Sequence, residues 1–151
     1  MIYDKGCFCC SVYAASDSNL RKQPKYIVFL SQLMKLFEVC PSCKVPDVLM
    51  EMKEFGTMIQ VETTCNNVHC KQRSSIWSSQ PNIRIATSTI PAGNLLLSFG
   101  ILSGGGSASK TLKIFQHMGL RCISLRSFFR HQNVCVQFFQ ICMQKFASIV
   151  C

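Results

Sequence analysis

Two close pairs of cysteines constrain this chain more than any other feature of its sequence. The first pair, Cys40-Pro-Ser-Cys43, precedes the second, Cys65-Asn-Asn-Val-His-Cys70, by 21 intervening residues. Two such pairs about 20 residues apart are typical of a small structural zinc site, because each pair can present two thiolates to one ion. The second spacing is four residues rather than two, so the fourth ligand is either Cys70 or His69. A cluster of buried, apolar cysteines without metal is the alternative.

The cysteine count and the N-terminal residues bear on the compartment. The chain has 11 cysteines, an odd number that argues against a secreted disulfide framework. Asp4 interrupts the N-terminal residues, which have no apolar run of the secretory type. The sequence contains no run of roughly 18 apolar residues, the length that would predict a transmembrane helix, so no membrane partner is expected. A reducing compartment is predicted, nuclear by preference and cytoplasmic as the alternative.

Charge is distributed very unevenly along the chain. All seven carboxylates lie within the first 62 residues, whereas the following 89 residues contain nine Lys or Arg and no acid. A catalytic pair of carboxylates is therefore excluded after Glu62. A zinc ion with four protein ligands has no open position for water, and His117 and His131 lack an acidic partner nearby. We expect neither an enzyme nor a small-molecule substrate, and a basic second half that attracts polyanions.

The first part of the chain predicts a leader followed by a helix. Residues 1–23 are irregular and basic towards their end. From Lys25 to Val39 apolar residues recur at three and four positions after Pro24, which predicts a helix with Leu30, Leu33 and Phe37 buried.

The cysteine region predicts a zinc ribbon. The β-branched, alternating run 57–64 predicts a strand that leads into Cys65, and Ser74–Ser78 predicts the returning strand, with Trp77 covering one face. Val48–Phe55 is ambiguous, because its Met and Glu residues favour helix whereas its position between the cysteine pairs favours extended chain.

The basic half predicts three helices after a connector. Residues 81–93 are expected to hold one short strand around 83–86. Asn94 is the predicted N-cap of a helix over 94–102, Ser107 of a helix over 108–118, and Ser124 of a helix over 125–132. Residues 133–151 either extend the last helix or form a separate apolar tail.

Helix, glycine turn, helix, short turn and basic helix is the outline of a helix-turn-helix, whose last helix enters the major groove of DNA. Arg suits contacts to guanine, and Lys suits contacts to phosphates. A solvated basic face without a ligand is the alternative. The predicted DNA contacts are Lys110, Lys113, Arg121, Arg126 and Arg130.

Several segments together resemble a known family. The segments that carry this resemblance are Pro24-Lys25-Tyr26-Ile27-Val28-Phe29, the two cysteine pairs, Trp77-Ser78-Ser79-Gln80-Pro81 and Pro91-Ala92-Gly93-Asn94-Leu95-Leu96-Leu97-Ser98. They are similar to the N-terminal part of transposase-derived proteins of the Kolobok type, which are often associated with THAP zinc fingers. The resemblance covers about residues 24–132. It implies nuclear DNA binding, whereas the acidic catalytic core of that family has no counterpart here.

The sequence thus predicts an α+β chain: a leader (1–23), a helix with a zinc ribbon (24–90), a helix-turn-helix-like unit (91–132) and an atypical apolar tail (133–151). The predicted function is a Zn²⁺-binding fragment of a transposase-like protein that binds double-stranded DNA and lacks the catalytic core. The alternatives are a structural zinc ribbon for protein interaction and a non-functional truncated product.

Overall fold

A computed structural model describes residues 20–85 and 88–136. The predicted leader falls almost wholly outside these residues, as does the predicted tail beyond residue 136. The described chain is α+β, with two small antiparallel sheets and four helices. It separates into two compact units, one formed by residues 24–79 and the other by residues 20–23 and 80–136 among those described. No helix in the described residues is both long and apolar enough to cross a membrane.

The first unit is built on a three-stranded sheet in the order β1-β2-β3, with β1 Val48–Phe55, β2 Met58–Cys65 and β3 Ser74–Ser78. The ambiguous segment is therefore extended, and β3 has the predicted bounds. Phe55 pairs with Met58 across a two-residue turn, where Gly56 has φ 66°. A residue without Cβ adopts that conformation without steric cost, so Gly56 suits the hairpin.

The middle strand carries most of the burial in this sheet. Val61 is completely buried, and Met58, Thr63 and Cys65 are also buried, whereas β1 is exposed along nearly its whole length. β-Branched residues favour a central strand, because their side chains pack well on a pleated surface.

The predicted helix over residues 25–39 is wrong in length and in burial. Helix α1 spans only Leu30–Met34 and continues as a 3-10 turn, Lys35–Phe37, and neither element has a fully buried residue. Leu30 is exposed, while Phe37 is half-buried and packs on Trp77 with ring centroids 5.3 Å apart. Apolar periodicity alone does not make a helix long, because helix stability depends mostly on a surface against which the apolar face can pack.

The second unit begins with a hairpin where the sequence predicted a connector with one strand. β4 (Asn82–Ile85) pairs with β5 (Ser88–Pro91), and Ile83 and Ile90 face each other across the pair. These two residues form a small core with Ala92 and Leu95 of the following helix. The hairpin therefore belongs with the helices, in the unit that resumes at Gln80.

In the described part of the second unit the hairpin is followed by three helices: α2 (Ala92–Ser103), α3 (Ala108–His117) and α4. Helix α4 is helical over 125–136 and so continues past the predicted end at 132. Their shared core contains Ile101, Leu112, Ile123 and Phe128.

One of the three predicted N-caps, Asn94, differs from the observed helix start, whereas Ser107 and Ser124 stand at the predicted positions. Helix α2 starts at Ala92 with Pro91 as its N-cap, so Asn94 lies inside the helix and is buried. Ser107 stands at the N-cap of α3 without a side-chain capping bond. Ser124 does cap α4, since its hydroxyl oxygen accepts a hydrogen bond from the Ser127 amide at 3.1 Å.

Candidate metal centre

The first cysteine pair lies on a tight turn before β1. The Lys44 amide donates to the Cys40 carbonyl at 2.9 Å, and the Cys40 amide donates to the Val45 carbonyl at 3.0 Å. Lys44 adopts φ 61°, the left-handed conformation that closes such a turn. The turn brings Cys40 and Cys43 onto one side of the loop.

The second pair lies at the end of β2 and on the turn that follows it. Cys65 is the last residue of β2, and the Cys70 amide donates to the Asn67 carbonyl at 3.0 Å. Asn66 ties this turn to the start of β1, because its side-chain amide donates to an Asp47 carboxylate oxygen at 2.8 Å. The sheet and this contact hold the two cysteine loops together.

The four cysteine sulfurs converge on one point, since all lie within 4.8 Å of one another. The Cys40 and Cys70 sulfurs are 3.7 Å apart, and the Cys43 and Cys65 sulfurs are 3.5 Å apart. Four sulfurs bound tetrahedrally to an ion at about 2.3 Å are separated by about 3.8 Å. These spacings therefore fit a four-coordinate ion, and all four cysteines are free thiols.

The alternative ligand His69 lies outside this cluster. It is exposed on the turn, and its backbone amide donates to the Asn67 side-chain oxygen at 3.0 Å. Cys70 is buried among the other cysteines. The structure brings Cys70, and not His69, to the cysteine cluster.

Backbone amides point at two of the sulfurs, a feature that the sequence analysis did not identify. Amide hydrogen bonds from Cys43 and then Ser42, acting against burial, lower the pKa of the Cys40 thiol to about 6. The Asn67 amide acts in the same direction on Cys65, but burial and the neighbouring sulfurs of Cys43, Cys40 and Cys70 outweigh it and raise the pKa of that thiol to about 12. The close Cys-x2-Cys spacing is the only sequence signal for such amide contacts.

The pKa shifts of Cys40 and Cys65 thus run in opposite directions, with the thiolate favoured at Cys40 and the neutral thiol at Cys65. Several thiolates at this spacing repel one another in a buried place, so their full ionisation requires a compensating cation. A bound metal ion supplies that charge and deprotonates the coordinating thiols. Amides that donate to the sulfurs also orient them, as is usual around metal ligands.

The five predicted DNA contacts are all exposed and all lie in the second unit. Lys110 and Lys113 are on α3, Arg121 is in the connection to α4, and Arg126 and Arg130 lie one turn apart on α4. No carboxylate accompanies them, since residues 80–136 contain no Asp or Glu. The structure therefore places all five predicted DNA contacts in the second unit.

His131, which follows Arg130 directly in the sequence, is buried although Arg130 is exposed. Its Nδ1 lies 3.0 Å from the Ser98 hydroxyl oxygen of α2. It therefore fastens α4 to α2 and is not part of an exposed basic face.

Comparisons with known proteins identify no relative. No protein-family profile, curated protein or solved structure matches the chain.

Proposed function

We propose that the four cysteines bind one structural Zn²⁺ ion and that residues 24–79 form a zinc ribbon. The convergence of Cys40, Cys43, Cys65 and Cys70 within 4.8 Å is the observation that carries this proposal. Four thiolates in a tetrahedral arrangement favour zinc over hard cations such as Mg²⁺ or Ca²⁺. Nearly all side chains of β1 are exposed, so this small sheet gains little stability from hydrophobic burial. The ion supplies stability in place of a larger hydrophobic core.

The proposed site is structural rather than catalytic. Four sulfur donors complete the coordination of zinc and leave no position for a water molecule or a substrate. Three of the four cysteines are also buried, which limits access to the ion.

The metal is tested by native mass spectrometry of the full chain. One zinc per chain is expected, with loss of that mass in Cys40→Ser. Cys122→Ser is the matched control, since Cys122 is a free, half-buried thiol outside the cluster. A folded chain without metal would overturn the proposal and leave the cysteines as core residues.

We further propose that the second unit binds double-stranded DNA in the nucleus through its basic surface. Support comes from the exposed Lys and Arg residues on α3 and α4 and from the absence of any acid between residues 80 and 136. The common core of α2, α3 and α4 suits a helix-turn-helix-like arrangement, with α4 as the recognition helix. This role agrees with the resemblance to transposase-derived proteins, of which the chain would be a part without the acidic catalytic core.

Salt dependence tests DNA binding directly. Affinity for duplex DNA should fall steeply as salt rises, because phosphate contacts release counterions. Lys110→Ala and Lys113→Ala, which remove predicted phosphate contacts, should each lower the slope of log K against log salt by about one. Arg84→Ala is the matched control, since Arg84 is exposed on β4 of the same unit. Binding that is absent, or equal at low and high salt, would reject this role.

Exposed apolar residues in the first unit favour a second candidate, a protein-interaction module. Tyr26, Ile27 and Phe29 are largely exposed just before α1. Contiguous apolar surface of this kind commonly marks a binding site. Zinc binding without salt-dependent DNA binding would favour this candidate over the first.

A further inference from the structure

Strand β1 forms one edge of the three-stranded sheet and is exposed on both of its faces. Leu49 and Phe55 lie on one face with relative exposures of 63% and 46%, and Met50 and Met52 lie on the other with 42% and 38%. β2 occupies only one side of β1, so within the described sheet the opposite edge pairs with no strand. A long, apolar edge is a template for another strand, and proteins usually protect it.

We propose that β1 pairs antiparallel with β1 of a second copy of this chain, about a two-fold axis at Met52. The pairing is self-complementary, as a two-fold interface requires. Antiparallel partners share a face, so Glu51 lies opposite Lys53 of the partner subunit, and Lys53 opposite Glu51 of the partner subunit. Charge complementarity thus occurs twice in one dimer.

The same register opposes apolar residues at Leu49, Met52 and Phe55, whereas Met50 lies opposite Glu54 of the partner subunit. Leu49 lies opposite Phe55 of the partner subunit, and symmetry repeats this pair at the other end of the strand. Met52 lies opposite Met52 of the partner subunit on the other face. Directly opposed apolar and opposite-charge side chains are the pairs that stabilise antiparallel strands.

Neighbouring registers are disfavoured by charge. A two-fold axis at Glu51 would oppose two copies of Glu51, and an axis at Lys53 would oppose two copies of Lys53. Like charges directly opposite each other destabilise a sheet. A register shifted by one residue would place a side chain of one sheet face opposite a side chain of the other face. This does not occur, because side chains alternate between the two faces along each strand.

Lys53 is not a free, solvated charge that would protect this edge against the addition of another strand. Its ammonium lies 3.4 Å from both Glu51 and Glu62, so it is held by carboxylates of its own sheet. An edge lysine that is already paired is a weaker barrier to strand addition than a solvated one. The other edge, β3, has five residues, three of them Ser, and offers a shorter surface.

Charge reversal on the zinc-loaded full chain tests the pairing. Sedimentation in reducing buffer over a wide concentration range should show a monomer–dimer equilibrium. In Glu51→Lys, a lysine at position 51 lies opposite Lys53 of the partner subunit at both ends of the two-fold pair. In Lys53→Glu, a glutamate at position 53 likewise lies opposite Glu51 of the partner subunit. Each variant should therefore weaken dimerisation about tenfold or more. Glu38→Lys and Lys35→Glu are matched controls, since both residues are exposed outside β1.

Mixing the two β1 variants provides the decisive measurement. A Glu51→Lys chain and a Lys53→Glu chain oppose unlike charges at both positions, so their mixture should form a heterodimer more tightly than either variant forms a homodimer. This rescue also shows that neither variant has simply misfolded.

Three outcomes would overturn the proposal. They are a wild-type chain that stays monomeric, a dimer that both β1 variants leave intact, and a mixture that fails to form the heterodimer. A dimer that is lost with Ile27→Asp but kept in both β1 variants would instead place the contact at the exposed apolar segment 26–29. None of these outcomes depends on DNA binding.

Discussion

Ser98 on α2 and His131 on α4 form a buried hydrogen bond, with 3.0 Å between the hydroxyl oxygen and Nδ1. The Ser98 hydroxyl also donates to the Asn94 carbonyl at 3.0 Å, so its oxygen accepts from a protonated Nδ1 of the imidazole. Both side chains are almost fully buried, with Ser98 at 0% and His131 at 2% exposure. This pair links two helices that are 33 residues apart in sequence and holds the helix that carries Arg126 and Arg130.

Removal of the Ser98 hydroxyl should destabilise the second unit. Ser98→Ala deprives the buried His131 of a hydrogen-bond partner, at a cost of about 1–3 kcal/mol. Urea unfolding monitored by helical circular dichroism measures this change. Ser103→Ala is the matched control: its hydroxyl makes a similar bond to the Phe99 carbonyl at 2.7 Å, but the residue is exposed. If both substitutions changed the free energy of unfolding equally, the buried bond would not stabilise the unit more than an exposed one does.

Acidification should weaken the same contact. Burial, and then the charge of neighbouring Arg130, lower the pKa of His131, while its bond to the Asn94 backbone acts in the opposite direction. The unfolded state therefore binds a proton at a higher pH than the folded state. Stability from the neutral imidazole is complete above the unfolded pKa of 6.5 and is lost as pH falls through the lower folded pKa.

The measurement compares the wild type with His131→Phe, which cannot titrate. Between pH 6.5 and the folded pKa the wild type should lose up to about 1.4 kcal/mol more per pH unit than the variant. Any acid effect on the cysteine cluster is common to both chains and cancels in the difference. Parallel stability profiles would contradict the prediction.

Chelation of the metal should unfold the first unit and spare the second. Structural zinc contributes an apparent free energy of about 10–16 kcal/mol in small zinc modules, which exceeds the stability of an ordinary domain of this size. Trp77 reports on the first unit through its contact with Phe37, and the helical signal reports mainly on α2, α3 and α4. A strong chelator, or Cys65→Ser, should change the tryptophan fluorescence while most helical signal persists. Unchanged fluorescence would show that the sheet does not need the ion.

The same glycine substitution should have opposite effects at two positions. Gly119 ends α3 at φ 72°, and the Leu120 amide bonds to the Phe115 carbonyl at 2.8 Å across it, as in a Schellman motif. An added Cβ would meet no atom within 4 Å at either Gly119 or Gly100, so only backbone preference differs. Gly119→Ala should destabilise the unit by about 1 kcal/mol. Gly100→Ala, on an exposed position within α2, should stabilise it by about 0.5–1 kcal/mol. Thermal unfolding of both variants checks the sign.

The sequence predicted well the features that depend on neighbouring residues. Ser74–Ser78 is a strand because its residues suit an edge strand, and Ser124 caps α4 because the capping bond spans three residues. The candidate cysteines could be named because each pair lies on a local turn. The hairpin over 82–91 was missed, because its strands are short and gain stability only by packing on α2.

The sequence by itself determined the close spacing of the two cysteine pairs and the separation of charge between the two halves of the chain. The tertiary structure decided which residues are brought together. Cys70 rather than His69 lies in the cluster, and His131 is buried against Ser98 although the adjacent Arg130 is exposed. It also left the apolar residues 26–30 exposed at the surface. Burial depends on which distant surface meets a residue, and neither composition nor periodicity contains that information.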